Sequence, residues 1–180
     1  VLANRAASIS YYAVTVYLLL MYKEFFLGRW LDDRPLLYAV THQGIVFAVC
    51  IFAVTVARPG LAGSAKTLWL GLAILGSFFS YEVCRKLDPG AHPVLKTYLS
   101  VYGRNITSLV VVIACLVAGL GAWGLDLQQL LWPAGGLVVL SLGILFLKPE
   151  RYKIVEGVAT LSLLLHLWAV VIQHFAGWPQ

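Results

Sequence analysis

The feature that most constrains this chain is its spacing of apolar runs, each roughly 20 residues long and separated by short polar segments. A helix rises about 1.5 Å per residue, so about 20 residues cross the roughly 30 Å of bilayer hydrocarbon. Only 12% of the 180 residues are charged and 61% are hydrophobic, whereas a soluble domain carries about 25% charged residues. A water-soluble fold of this length has too little interior to hide that much apolar surface. The expected solvent is therefore lipid, and the expected fold is an all-α, polytopic transmembrane helix bundle.

The run boundaries predict about six helices: Ala7 to Phe26, Leu36 to Val56, Ser64 to Arg85, Tyr98 to Leu120, Leu127 to Leu147 and Lys153 to Phe175. Each ends at a charge cluster or a Pro/Gly break, with Gly60, Gly63, Gly121 and Gly124 where turns are expected. Lys23, Arg29, Arg34, Arg85, Lys86, Lys96, Arg104, Lys148, Arg151 and Lys153 all fall on one side of this alternation, and Arg5, Arg58 and Lys66 on the other. Because Lys and Arg are enriched in cytoplasmic loops, the loops after helices one, three and five are expected in the cytoplasm. The same asymmetry accounts for the net charge of +5 without a nucleic-acid partner. The acidic residues follow the basic ones, leaving only Asp126 on the opposite side.

Cys50, Cys84 and Cys115 have neither a CxxC pair nor metal-ligand spacing. They are read as small packing residues. The first residue is Val1 and the only methionine is Met21, inside an apolar run, so further sequence is expected upstream. No signal-peptide pattern opens the chain.

Glu82 is the sharpest candidate for chemistry. It lies about one turn inside a helix end after an uncharged stretch, with Arg85 and Lys86 at i+3 and i+4. A carboxylate at that depth needs a partner or water. Either it pairs with its neighbours and ends the helix, or it holds a divalent cation while the two cations grip phosphate oxygens. Mg²⁺ is commonly held by one or two carboxylates together with substrate phosphates. Asp32 and Asp33 are adjacent and so do not share a helix face; the plainer reading makes them a solvated loop with Asp33 capping the helix that begins near Pro35.

Thr41, His42 and Gln43 lie two turns inside the second helix, where lipid cannot satisfy them. They either bond between helices or line a cavity. His166 and Gln173, with His174 near the outer end, pose the same question in the last helix. Their spacing fits no compact metal site, and haem or copper ligation is a minor alternative. Trp123, Trp132, Trp168 and Trp178 read mostly as interfacial aromatics.

The stretch from Phe78 to Gly103 runs through Ser80, Tyr81, Glu82, Arg85 and Lys86, a polar loop, then Thr97, Tyr98 and Gly103. It resembles the second acidic motif of the UbiA-type intramembrane prenyltransferases. Glu82 takes the place of the leading carboxylate, Arg85 and Lys86 that of later acidic and basic positions, and Thr97 to Gly103 that of the closing element. Tyr22, Lys23 and Glu24, followed by Phe25 and Phe26, are similar to the family's Tyr and Lys/Arg segment. The resemblance covers most of the chain as a single transmembrane domain, residues 1–180, equivalent to the later two thirds of a nine-helix fold without its N-terminal helices.

That resemblance implies prenyl transfer from a prenyl pyrophosphate to a lipid-soluble acceptor. It further implies Mg²⁺ near Glu82 and Asp88, pyrophosphate contacts from Lys23, Arg85 and Lys86, and a cavity lined by His42, Gln43 and Tyr81. The alternative is a non-catalytic subunit of a larger membrane complex holding lipid, quinone or pigment between apolar helices. A small transporter would carry internal repeats, and none is evident.

Overall fold

The computed structural model describes residues 5–92 and 96–175 and, in the last helix, side chains as far as residues 169 and 171. It is 86% helical, with no strand among the described residues. The order is α1 (Arg5–Tyr22), α2 (Gly28–Asp32), α3 (Pro35–Ala57), α4 (Ala65–Arg85), α5 (Tyr98–Gly124), α6 (Gln128–Ser141), α7 (Gly143–Leu147) and α8 (Lys153–Phe175). Only Leu142 separates α6 from α7, and its amide still bonds back to the Val138 and Val139 carbonyls. Counting these two as one rod gives seven helices among the described residues, where the apolar runs predict six.

Among the described residues, four stretches are long and apolar enough to cross a membrane: Pro35–Ala57, Ala65–Arg85, Tyr98–Gly124 and Gln128–Leu147. Their outward faces are apolar. Leu109, Leu116, Leu137 and Leu140 are all more than half exposed, as expected where the surroundings are hydrocarbon rather than water.

The extra helix, α2, follows a break in the first apolar run, which was expected to stay helical to Phe26. Instead α1 stops at Tyr22, and Glu24, Phe25 and Phe26 take φ of 47°, 53° and 60°. Left-handed backbone costs roughly 1–2 kcal/mol per non-glycine residue, so packing must offset it. Phe25 turns back to meet the rings of Tyr17 at 5.5 Å and His42 at 5.7 Å, both edge-on. The chain then forms the single turn of α2 and enters α3 through Pro35, which needs no amide partner at a helix start.

The tightest packing is between α4 and α5. A Cβ added at Gly76 would strike the backbone at Ala114 and Ala118, and one at Gly121 would strike the backbone at Trp69 and Ala73. Small residues thus let the two backbones approach, as is usual between helices in lipid. The main core lies toward the end of the bundle where α4 finishes and α5 begins, around Val83, Leu87, Tyr98, Leu145 and Val155. A smaller cluster of Ala122, Leu131 and Ala169 closes the other end.

Candidate functional site

Direct contacts draw the charged segments together at the main-core end. Lys96 reaches Asp33 at 2.9 Å across 63 residues of sequence. The Leu36 amide donates to the Tyr102 hydroxyl, and Arg104 Nη1 donates to the Leu145 carbonyl at 3.2 Å, satisfying an orphaned acceptor at the end of α7. Thr97 caps α5 by accepting from the Ser100 amide. Five residues into α5 the helix is interrupted at Gly103, whose φ of 72° and ψ of 173° suit glycine alone. The Thr107 hydroxyl bridges that break, bonding the carbonyls of Tyr98 and Gly103.

These elements enclose a cavity of about 410 Å³ lined by Leu31, Asp32, Pro35, Tyr38, Lys86, Lys96, Thr97 and Tyr98. It combines two ammonium groups, one carboxylate, two phenols and a hydroxyl with apolar walls. Lys86 Nζ stands 5.6 Å from the centre of the Tyr98 ring, a cation–π approach that helps hold it at the cavity. Asp33 and Lys96 form the rim. The adjacent ammonium holds the Asp33 carboxyl below the usual carboxylate range, and the carboxylate in turn raises the Lys96 ammonium. The Asp32 carboxylate makes no hydrogen bond or ion pair with another described residue.

Glu82 is less exposed than its partners and gives an oxygen to each: Oε2 to Arg85 Nη2 at 2.7 Å and Oε1 to Lys86 Nζ at 2.6 Å. This is the helix-end pairing, formed with both cations at once. Asp88 turns away, its Oδ1 accepting from the Gly90 amide at 2.8 Å. Glu82 and Asp88 thus have separate local partners, and among the described residues no group of three or more His, Cys, Asp or Glu is placed to hold a metal ion. Asp33, expected to cap α3, is committed to Lys96; the capping position falls to Arg34, which makes no side-chain cap bond. Its guanidinium lies over the Trp30 ring instead.

Comparison with protein-family models, curated proteins and solved structures finds no match. The arrangement of the residues is what remains to interpret.

Of the six residues expected to bind pyrophosphate or line the cavity, Lys86 alone faces this space. Arg85 is tied to Glu82 beside it. Lys23 is exposed, with Nζ 5.2 Å from the centre of the Tyr22 ring. His42 stacks on Tyr38 with ring centres 3.9 Å apart, and its Nδ1 bonds the Tyr38 carbonyl. It therefore buttresses a cavity wall from behind. Gln43 is the one amide in a separate apolar groove of about 290 Å³ between α3, α4 and α5. Tyr81 is half-buried on α4 and lines none of these spaces.

Sequence reasoning placed Asp32 and Lys96 in solvated loops, because their meeting depends on the strained turn after α1 and on how α5 enters the bundle. The cysteines behave as packing residues: Cys84 is buried, and Cys115 Sγ lies 3.5 Å from Ser80 Oγ. Trp123, Trp132 and Trp168 are exposed on the apolar surface. Asn4, Pro93 and Trp178, and the side chains of Gln173 and His174, lie outside the described residues.

Proposed function

We propose that this chain is a divergent UbiA-like integral membrane protein that binds a prenyl pyrophosphate at its charged end and transfers the prenyl group to a lipid-soluble acceptor. The observation that carries the reading is the 410 Å³ cavity, in which Lys86 and Lys96 meet Asp32 between apolar walls. A prenyl pyrophosphate has the same division into polyanion and hydrocarbon. The Thr97 cap and the Gly103 break support the likeness of this segment to the family's closing element. In this reading the six apolar runs are six membrane crossings, and the excess of Lys and Arg at the charged end puts that end in the cytoplasm.

In this reading Lys86 and Lys96 neutralise the phosphate oxygens, with Arg85 close behind. Glu82 is a positioning residue that holds Arg85 and Lys86 at the rim. Asp32 is the carboxylate suited to Mg²⁺, because it faces the cavity and has no competing cation within bonding distance among the described residues. Together with substrate phosphates, one such carboxylate meets the usual protein share of a Mg²⁺ site. When bound, the metal supplies the positive charge that stabilises the departing pyrophosphate. Tyr38 and Tyr98 wall the space and limit the water that reaches it, and the prenyl chain leaves the cavity along the apolar helix faces.

The test is incubation of the full-length protein with labelled prenyl pyrophosphates, Mg²⁺ and a panel of quinone-type and tetrapyrrole acceptors. A prenylated product, or at least Mg²⁺-dependent donor binding, is expected. Absence of both overturns the reading.

The pairing of both Glu82 oxygens with cations favours a second reading, a non-catalytic subunit that holds lipid, quinone or pigment within a larger membrane assembly. Stoichiometric co-purification with partner subunits, without turnover, would support it.

A further inference from the structure

A second space lies away from the charged end, between α5, α6 and α8. It is an apolar groove of about 770 Å³, within the size range of small-molecule and cofactor sites. Its floor includes Gly119, Gly135 and Gly136, and Trp132 forms one side, with its indole N–H donating to the Gly119 carbonyl at 3.0 Å. Glycines on two neighbouring helices keep side-chain bulk out of this floor. His166 reaches this floor from α8.

His166 is only 2% exposed, and its Nδ1 lies 2.7 Å from the Ser162 carbonyl oxygen. A carbonyl only accepts, so Nδ1 carries the proton and Nε2 of the neutral ring presents a lone pair. Nε2 makes no hydrogen bond to another described residue. A metal-ligating histidine is usually held this way, with its second nitrogen donating to a carbonyl or carboxylate that fixes the tautomer and raises the basicity of the ligating atom.

We infer that this groove binds a planar metallotetrapyrrole, with His166 Nε2 as axial ligand to the metal. The chemistry of the wall selects this occupant. A bare metal ion would need several protein ligands, and none cluster here among the described residues; a tetrapyrrole brings four nitrogens of its own and asks the protein for one. A quinone carbonyl would need a donor, whereas Nε2 is an acceptor. A large apolar groove with a floor cleared by glycines and a single lone pair in its wall matches a macrocycle whose open position is axial.

The inference is independent of the pyrophosphate cavity, so its failure leaves that reading standing. The experiment is titration of the full chain in lipid nanodiscs with zinc protoporphyrin IX, which accepts one axial nitrogen and reports it as a red shift of its main absorption band. Saturable one-to-one binding with that shift is expected. His166→Ala should weaken binding by about tenfold or more, equivalent to about 1.4 kcal/mol or greater, and added imidazole should restore the red shift in that variant.

Gly136→Phe offers a check that leaves His166 in place. Nothing stands within 4 Å of a Cβ at this position, so the variant should fold while its ring covers the floor and abolishes binding. The inference is overturned if the native chain gives no saturable shift, if either variant binds as well as the native chain, or if metal-free protoporphyrin IX binds as tightly with the same dependence on His166.

Discussion

Replacing Lys86 with Met keeps the length and apolar stem of the side chain and removes its charge. In the proposed site this deletes one charge-assisted hydrogen bond to a phosphate oxygen, worth about 1.5–3 kcal/mol. The native lysine must first loosen its 2.6 Å pairing with Glu82, and a half-exposed pair of this kind contributes only about 0.3–0.5 kcal/mol. The difference predicts a loss of about 1–2.5 kcal/mol, or roughly a five- to sixtyfold rise in Kd at 1.4 kcal/mol per tenfold. Equilibrium binding of a labelled prenyl pyrophosphate to the nanodisc-embedded protein measures it. Thermal stability should move little, because the half-exposed pair with Glu82 contributes only about 0.3–0.5 kcal/mol. Glu82→Gln should shift metal-free pyrophosphate binding in the opposite direction, tightening it severalfold, because Arg85 and Lys86 lose the carboxylate that competes for them. If Lys86→Met and Lys96→Met both bind within twofold of the native protein, the cavity is not the pyrophosphate site. If Glu82→Gln instead abolishes Mg²⁺-dependent binding, Glu82 is a metal ligand and its proposed role as a positioning group is wrong.

Asp32→Asn should reduce Mg²⁺-dependent donor binding by tenfold or more, about 1.4 kcal/mol, while leaving metal-free binding unchanged or slightly tighter; parallel titrations with Mg²⁺ and with chelator separate the two. Gly121→Leu should destabilise the bundle by about 1–3 kcal/mol, the usual cost of overpacking a closed interface, measured by unfolding in mixed micelles; Gly60→Ala, on an open turn with nothing within 4 Å of its Cβ, serves as the neutral control. The Asp33–Lys96 tie should hold over a broad pH range. The Asp33 carboxyl is lowered in the folded protein, so its contribution is present above its unfolded pKa and is lost as acid passes below the folded value. The Lys96 ammonium is raised, so its contribution is complete below its unfolded pKa and is lost as base passes above the folded value. Hydrogen exchange at the start of α3 should therefore be flat between about pH 5 and pH 10, once corrected for intrinsic rates, and rise only at the extremes.

What could be read from the sequence follows from the range of the forces involved. Helix positions came from hydropathy, a local property, and α3, α4 and α8 begin and end within about a residue of the expected limits. The Glu82 pairing was also legible, because i, i+3 and i, i+4 neighbours meet on any helix. The end of α1 was not legible. Glu24, Phe25 and Phe26 continue an apolar run, and only the distant rings of Tyr17 and His42 make it favourable to turn Phe25 back through left-handed backbone. Lys96 was hidden for the same reason, since its partner Asp33 is fixed by that turn.

The same distinction governs the two spaces in the molecule. At the charged end, the residues that chemistry singled out are close in sequence and mostly satisfy one another, as Glu82 does with Arg85 and Lys86. The groups that face the cavity, Asp32, Lys86 and Lys96, come from three separate segments, and a ligand that divides its charge as a prenyl pyrophosphate does suits them better than any one of those segments alone. At the His166 groove the order is reversed. One histidine in an apolar helix carries little information by itself; its meaning comes from the Ser162 carbonyl that fixes its tautomer and from the glycines of α5 and α6 that clear space beside it. In each case the local pattern supplied the chemical group, and the tertiary fold supplied the direction in which its reactivity is presented.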